Sequence, residues 1–155
     1  MNYSNKNMKS NFYLLTFLLI IFFTINGYAA ERKKYNFNSE WRLQVGDFPQ
    51  AKKPDFKDSS WKQVTLPHAF NEDEAFRISI EQHTDTVVWY RKHFRIEELR
   101  GKKVFVEFEG VRQGGEFFLN GQYLGLHENG VMAVGFDLTP YMKEGDNVLA
   151  VRTDN

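Results

Sequence analysis

From Val88 to Ile96 (VWYRKHFRI) apolar and polar side chains alternate, with Val88, Tyr90, Phe94 and Ile96 on one face and Trp89, Arg91, His93 and Arg95 on the other. Lys103 to Glu109 (KVFVEFE) repeats the pattern, turning Val104, Val106 and Phe108 inward and Glu107 and Glu109 outward. A period of two is what a half-buried antiparallel strand requires. Glu116 to Leu119 and Gln122 to Leu126 are two further apolar runs joined by Asn120-Gly121. Both joining residues tolerate the positive φ of a type I′ turn, so the segment predicts a hairpin. Val134 to Leu138 and Asn147 to Thr153 complete the expected strands. Between them, Thr139 to Met142 is expected to make one short helical turn and Gly145-Asp146 a tight turn. Outside the N-terminal segment no helical period is sustained. Strands every eight to twelve residues with Gly or Asn-Gly punctuation predict an all-β sandwich or barrel. Gly46–Ser60 and Pro67–Thr86 fit no regular element and are long for loops of a compact domain, a length associated with function or mobility.

The first thirty residues follow a different pattern. Lys6 and Lys9 lead into Phe12–Ile25, an uncharged run of fourteen residues, followed by Asn26-Gly27-Tyr28-Ala29-Ala30 and a return of charge at Glu31. Basic, apolar and small-residue segments in that order predict a secretory signal peptide over residues 1–29, cleaved after Ala29 or alternatively after Ala30. Fourteen residues of helix reach about 21 Å, short of the roughly 30 Å hydrocarbon core that a membrane anchor must cross. The expected product, residues 30–155, is therefore periplasmic or extracellular, with no membrane association after cleavage. Losing Lys6 and Lys9 changes the balance of 20 basic and 20 acidic residues to 18 and 20, a net charge of −2. That is no basic surplus for a nucleic-acid partner. The chain has no cysteine, which excludes disulfides, thiolate metal sites and lipidation at an N-terminal Cys.

Candidate chemistry is sparse. Glu107 and Glu109 share a strand face at roughly 6.6 Å, given about 3.3 Å per residue, of the order seen between glycosidase carboxylates. Outward positions of an amphipathic strand account for both charges as well. Glu72-Asp73-Glu74, preceded by Asn71, could supply oxygen ligands to a hard cation, but lacks the spaced pattern of a calcium loop and reads more simply as solvated. His68, His83, His93 and His127 have no metal-ligand spacing. There is no nucleophile-elbow serine and no phosphate-cradling glycine loop. Gly114-Gly115 reads as a bulge or a close backbone approach. Trp41, Trp61 and Trp89 could stack on sugar rings, although core positions are the simpler expectation. No metal and no cofactor are implied. On residues alone the chain is a binding or scaffolding module.

Several stretches then resemble one family. Asp58-Ser59-Ser60-Trp61 with Val64-Thr65-Leu66-Pro67-His68 is similar to a signature near the start of glycoside hydrolase family 2 enzymes. The strand Trp89-Tyr90-Arg91-Lys92-x-Phe94, the stretch Gly101–Val111, the hairpin Asn120-Gly121-x-x-x-Gly125, Phe136–Tyr141 and Gly145–Arg152 follow in the family's order, so that the resemblance covers about Tyr35 to Asn155.

The resemblance implies a jelly-roll, galactose-binding-domain-like β-sandwich, the N-terminal domain of a secreted β-galactosidase-, β-glucuronidase- or β-mannosidase-type enzyme. His127–Met132 is most similar to β-galactosidase-type members. It also implies that the two catalytic glutamates of a retaining mechanism lie on a later barrel, and that the last strands of the jelly roll follow the stretch seen here. No catalytic residue is expected in this chain, and its partners would be carbohydrate and that barrel, in cis or on another chain. His68, closing the Leu-Pro-His motif, and Asp154 and Asn155, closing the Val-Arg-x-Asp-Asn motif, are the expected pocket-side residues, with turn-holding as their alternative role. A free-standing carbohydrate-binding module and a purely structural docking domain are the other functional classes the sequence allows.

Overall fold

A computed structural model describes residues 32–72, 77 and 86–154. The expected signal peptide, Asp73-Glu74, His83 and Asn155 lie outside the described residues. Two units divide the chain, Met1–Tyr35 and Asn36–Asn155. Of the first, only residues 32–35 are described, without regular structure. Among the described residues every strand belongs to the second.

The strands are β1 (Trp41–Val45), β2 (Lys62–Val64), β3 (Val87–Ile96), β4 (Phe105–Phe108), β5 (Gly114–Leu119), β6 (Gln122–His127), β7 (Val134–Asp137) and β8 (Gly145–Asp154). Short 3-10 turns occur at Pro49–Lys52 and Thr139–Tyr141. Six strands form one antiparallel sheet in the order β2-β1-β3-β8-β5-β6, and β4 and β7 form a second. At its centre β3 and β8 pair over their whole length, from Val87 opposite Asp154 to Ile96 opposite Gly145. The expected hairpin is present, with Asn120 and Gly121 at φ 51° and 86°. Its turn is locked from the side: the Asn120 amide donates to the Tyr141 carbonyl (3.0 Å) and to Asn147 Oδ1 (2.8 Å), while its Oδ1 accepts from the Val148 N–H (3.0 Å). The close approach expected at the paired glycines is at Gly115, where a Cβ would meet Val111 Cγ1 at 3.0 Å. The bulge falls between Phe117 and Phe118 instead.

The two sheets enclose the main core. Leu43, Val88, Phe117, Leu119, Leu149 and Val151 from the large sheet meet Val106 and Phe136 from the small one, with the Phe117 and Phe136 rings 4.7 Å apart. This is the expected all-β sandwich. Burying each large apolar side chain contributes about 1.5–3 kcal/mol, and all three tryptophans are buried, as core residues should be.

The outer face of the large sheet departs from the half-buried expectation. Trp89 and Arg91 are 1% and 0% exposed, although alternation places them away from the main core. The cover is the stretch Gly46–Ser60, which the sequence leaves unassigned. It folds across the sheet and builds a second cluster of Ala51, Trp61, Trp89, Phe118 and Ala150, with Phe56 packed beside it. Trp89 stacks on Phe118 at 5.9 Å. Strand β3 is thus buried on both faces over its first half and open to solvent on its outer face only from His93 onward.

Candidate functional site

The covering loop is held by charge. Strand β3 aims Arg91 outward, and its guanidinium donates from Nε to Asp58 Oδ2 (2.7 Å) and from its two terminal nitrogens to the carbonyls of Ala51, Lys53 (2.9 Å) and Phe56 (3.3 Å). Arg42 from β1 pairs with the other carboxylate oxygen of Asp58, and His93 Nε2 lies 2.7 Å from Oδ2. Asp58 is 3% exposed. Burial alone would raise its pKa, but the hydrogen bonds from His93 and Arg91 and their charges prevail and hold the carboxyl below its ordinary value. The aspartate that opens the Asp-Ser-Ser-Trp motif is therefore a structural anchor whose lone pairs are committed.

A second cluster sits at the end of β8 on the same outer face. Arg152 forks onto Asp47, with Nε to Oδ1 at 3.2 Å and Nη2 to Oδ2 at 3.1 Å, and also reaches Glu116 (3.2 Å) and Asp154 (3.4 Å). The Trp89 indole donates to Asp47 Oδ1 at 3.1 Å. The Arg152 hydrogen bond is the largest influence on Asp47 and lowers its pKa against a smaller burial penalty. Asp154 is 62% exposed at the rim of this cluster.

His68 occupies a different place. It follows the Leu66–Pro67 peptide, which is cis. Its Nδ1 lies 3.4 Å from the Tyr90 hydroxyl, and its buried Nε2 has no hydrogen-bond partner among the described residues. Burial first, then the charge of Lys62, push the imidazole pKa down, with Glu72 opposing. Burial raises the Tyr90 phenol to about 12. At neutral pH both rings are neutral. Tyr90 packs against the main core, whereas Asp154 belongs with Arg152 on the outer face, so the structure does not bring His68 and Asp154 together.

The remaining candidates stand apart. Glu107 and Glu109 are exposed, as the alternation predicts. His93 serves Asp58, and His127 Nε2 lies 3.1 Å from the Met132 carbonyl. Among the described residues no three His, Cys, Asp or Glu side chains gather to hold a metal ion. The sequence reading missed the Arg91–Asp58 clamp and the Arg152 cluster. A charged side chain in the outward register of a strand carries no sign that a loop 33 or more residues away will cover it.

A sandwich whose buried carboxylate is committed to arginine and histidine has the makings of a scaffold or recognition domain. Its residues 39–154 match the family model described as "Glycosyl hydrolases family 2, sugar binding domain", and the chain belongs to that family. It is 39% identical over 136 residues to a beta-glucuronidase of Formosa agariphila, covering 82% of this chain and 14% of that protein. A beta-galactosidase of Bacteroides ovatus is 40% identical over 137 residues, covering 82% of this chain and 16% of the relative. Among solved structures, a family 2 beta-glucuronidase superposes with a TM-score of 0.77 at 37% identity, covering 83% of this chain and 14% of the other. The chain thus spans about one sixth or less of the length of these relatives.

Proposed function

We propose that the chain is the non-catalytic N-terminal domain of a secreted, β-galactosidase-like glycoside hydrolase acting on terminal β-linked sugars. The observation that carries this reading is the match of residues 39–154 to the sugar-binding domain of the family. It is supported by the way Asp58, Asp47 and Glu116 are tied to arginines rather than free for acid–base work. In this reading a catalytic barrel, in cis or on another chain, supplies the hydrolysis. His68, whose Nε2 has no partner among the described residues, is the one that faces its sugar pocket, while Asp154, on the other face of the sheet beside Arg152, takes the turn-holding role. The relatives are called both beta-galactosidases and beta-glucuronidases, so both glycosides belong in the test. The purified chain should release no p-nitrophenol from aryl β-galactosides or β-glucuronides; release by the chain alone overturns the proposal. The order of basic, apolar and small-residue segments at the N-terminus supports export to the periplasm or beyond. Mass spectrometry of the exported chain should show a new N-terminus at Ala30 or Glu31.

The words "sugar binding domain" also favour a second reading, a free-standing carbohydrate-binding module. It predicts oligosaccharide affinity in the chain alone by calorimetry, and a flat titration removes it.

A further inference from the structure

One loop presents apolar side chains to solvent while being firmly held. It joins β6 to β7 and carries Val131 and Met132, 90% and 59% exposed. Isolated exposed apolar residues need no explanation, but here the backbone is tied by hydrogen bonds on both sides of Gly130. Asn129 accepts from the Val131 N–H through Oδ1 (3.3 Å) and from the Met132 N–H through its carbonyl (3.4 Å), and His127 sits against the Met132 carbonyl. Gly130 is pressed onto the segment that precedes β5, where a Cβ would come within 2.8 Å of the Gln113 nitrogen and 3.2 Å of Arg112 Cα. These contacts tie the loop backbone, and its two apolar side chains are exposed.

Its place in the fold says what it faces. Arg112 and Gln113 run directly into β5, whose Gly114 pairs with Asp154 and whose Gly115 lies between Thr153 and His127. The last described residue of β8 therefore emerges at the end of the sandwich that carries Val131 and Met132. In the relatives, more than four fifths of the polypeptide lies outside the matched segment.

Building on the function proposed above, we propose that the Val131–Met132 loop is the docking contact of this domain with the polypeptide that follows β8 in the full-length enzyme. A loop whose backbone is already tied in the free domain loses less conformational entropy on docking than an untied one, which makes it suited to a permanent contact.

The test compares Met132 in two settings: the chain alone, and the chain substituted for the matched segment of the intact Bacteroides ovatus beta-galactosidase. Peroxide should oxidise Met132 readily in the chain alone and at least tenfold more slowly in the chimera. V131D/M132D should leave the melting temperature of the chain alone unchanged and abolish the protection of the domain from proteolytic release in the chimera. Equal oxidation rates in the two settings, or a chimera indifferent to V131D/M132D, overturn the contact. So does a Met132 protected in the chain alone in proportion to its concentration, which would make a second copy the occupant. Glycoside hydrolysis by the chain alone would instead overturn the functional reading and leave the Met132 comparison standing.

Discussion

Replacing Arg91 with methionine keeps most of the apolar stem and removes five donors from a site with no solvent access. The Asp58 carboxylate would keep Arg42 and His93 but lose its most buried partner. The carbonyls of Ala51, Lys53 and Phe56 would each lose a charged donor. Removing one member of a buried ion pair costs about 3–5 kcal/mol. At about 4 °C per kcal/mol for a domain of this size, R91M should melt roughly 12–20 °C lower. Trp61 and Trp89 lie in the cluster the clamp secures, so their fluorescence during urea unfolding reads the loss directly. Trypsin adds a local measurement, because Lys52, Lys53 and Lys57 lie on the covering loop and should be cut faster. A loss below about 1 kcal/mol, with the loop still resistant to trypsin, would refute the argument. It would mean that the apolar contacts of Ala51, Phe56 and Trp61 alone hold the loop in place.

The partner of Arg91, the β5–β6 turn and the β6–β7 loop each carry a further prediction. Because the Asp58 pKa is lower folded than unfolded, its stabilisation is complete above the unfolded value of about 3.9 and is lost as pH falls through the folded value. D58N should therefore be less stable than wild type at neutral pH and show a shallower loss of stability between about pH 5 and 3, measured by urea titration. N120A removes the three side-chain hydrogen bonds that tie the β5–β6 turn to β8 (Asn147 and Val148) and to the Tyr141 carbonyl, and should lose about 1–3 kcal/mol by chemical denaturation. G130A forces a Cβ against backbone atoms of Arg112 and Gln113 and should lose about 1–3 kcal/mol, with faster amide exchange confined to the β6–β7 loop; an unchanged exchange pattern there would contradict the fit described.

What was legible in the sequence is what side-chain alternation encodes. The inward registers of β3 and β4 were readable from Val88 and Tyr90, and from Val106 and Phe108, and the β5–β6 hairpin from Asn120-Gly121 between two apolar runs. β2 escaped because its three residues are too few to show a period. β1 alternates through Trp41, Leu43 and Val45, yet went unread beside the more prominent later strands. The cover over the outer face was illegible for a deeper reason. Arg91 finds its acceptors 33 to 40 residues earlier in the chain, and a polar residue in an outward register has the same sequence pattern whether water or a loop covers it. The site residues were legible only through resemblance. Nothing local to His68 says that its Nδ1 meets Tyr90, or that Asp154 lies on the other face of the sheet.

The position of β8 bears on how the domain is made. The last described strand in sequence is not at an edge; it lies between β3 and β5 and is the only link between β2-β1-β3 and β5-β6 in the large sheet. A nascent chain that has not yet released Gly145–Asp154 holds two separate pieces of sheet, each with the edge that β8 will occupy open to other chains. The main core cannot close until then, because Leu149 and Val151 are part of it. The two halves of the large sheet therefore join only when β8 is available. Until the ten residues of that strand arrive, both open edges are exposed to pairing with other chains.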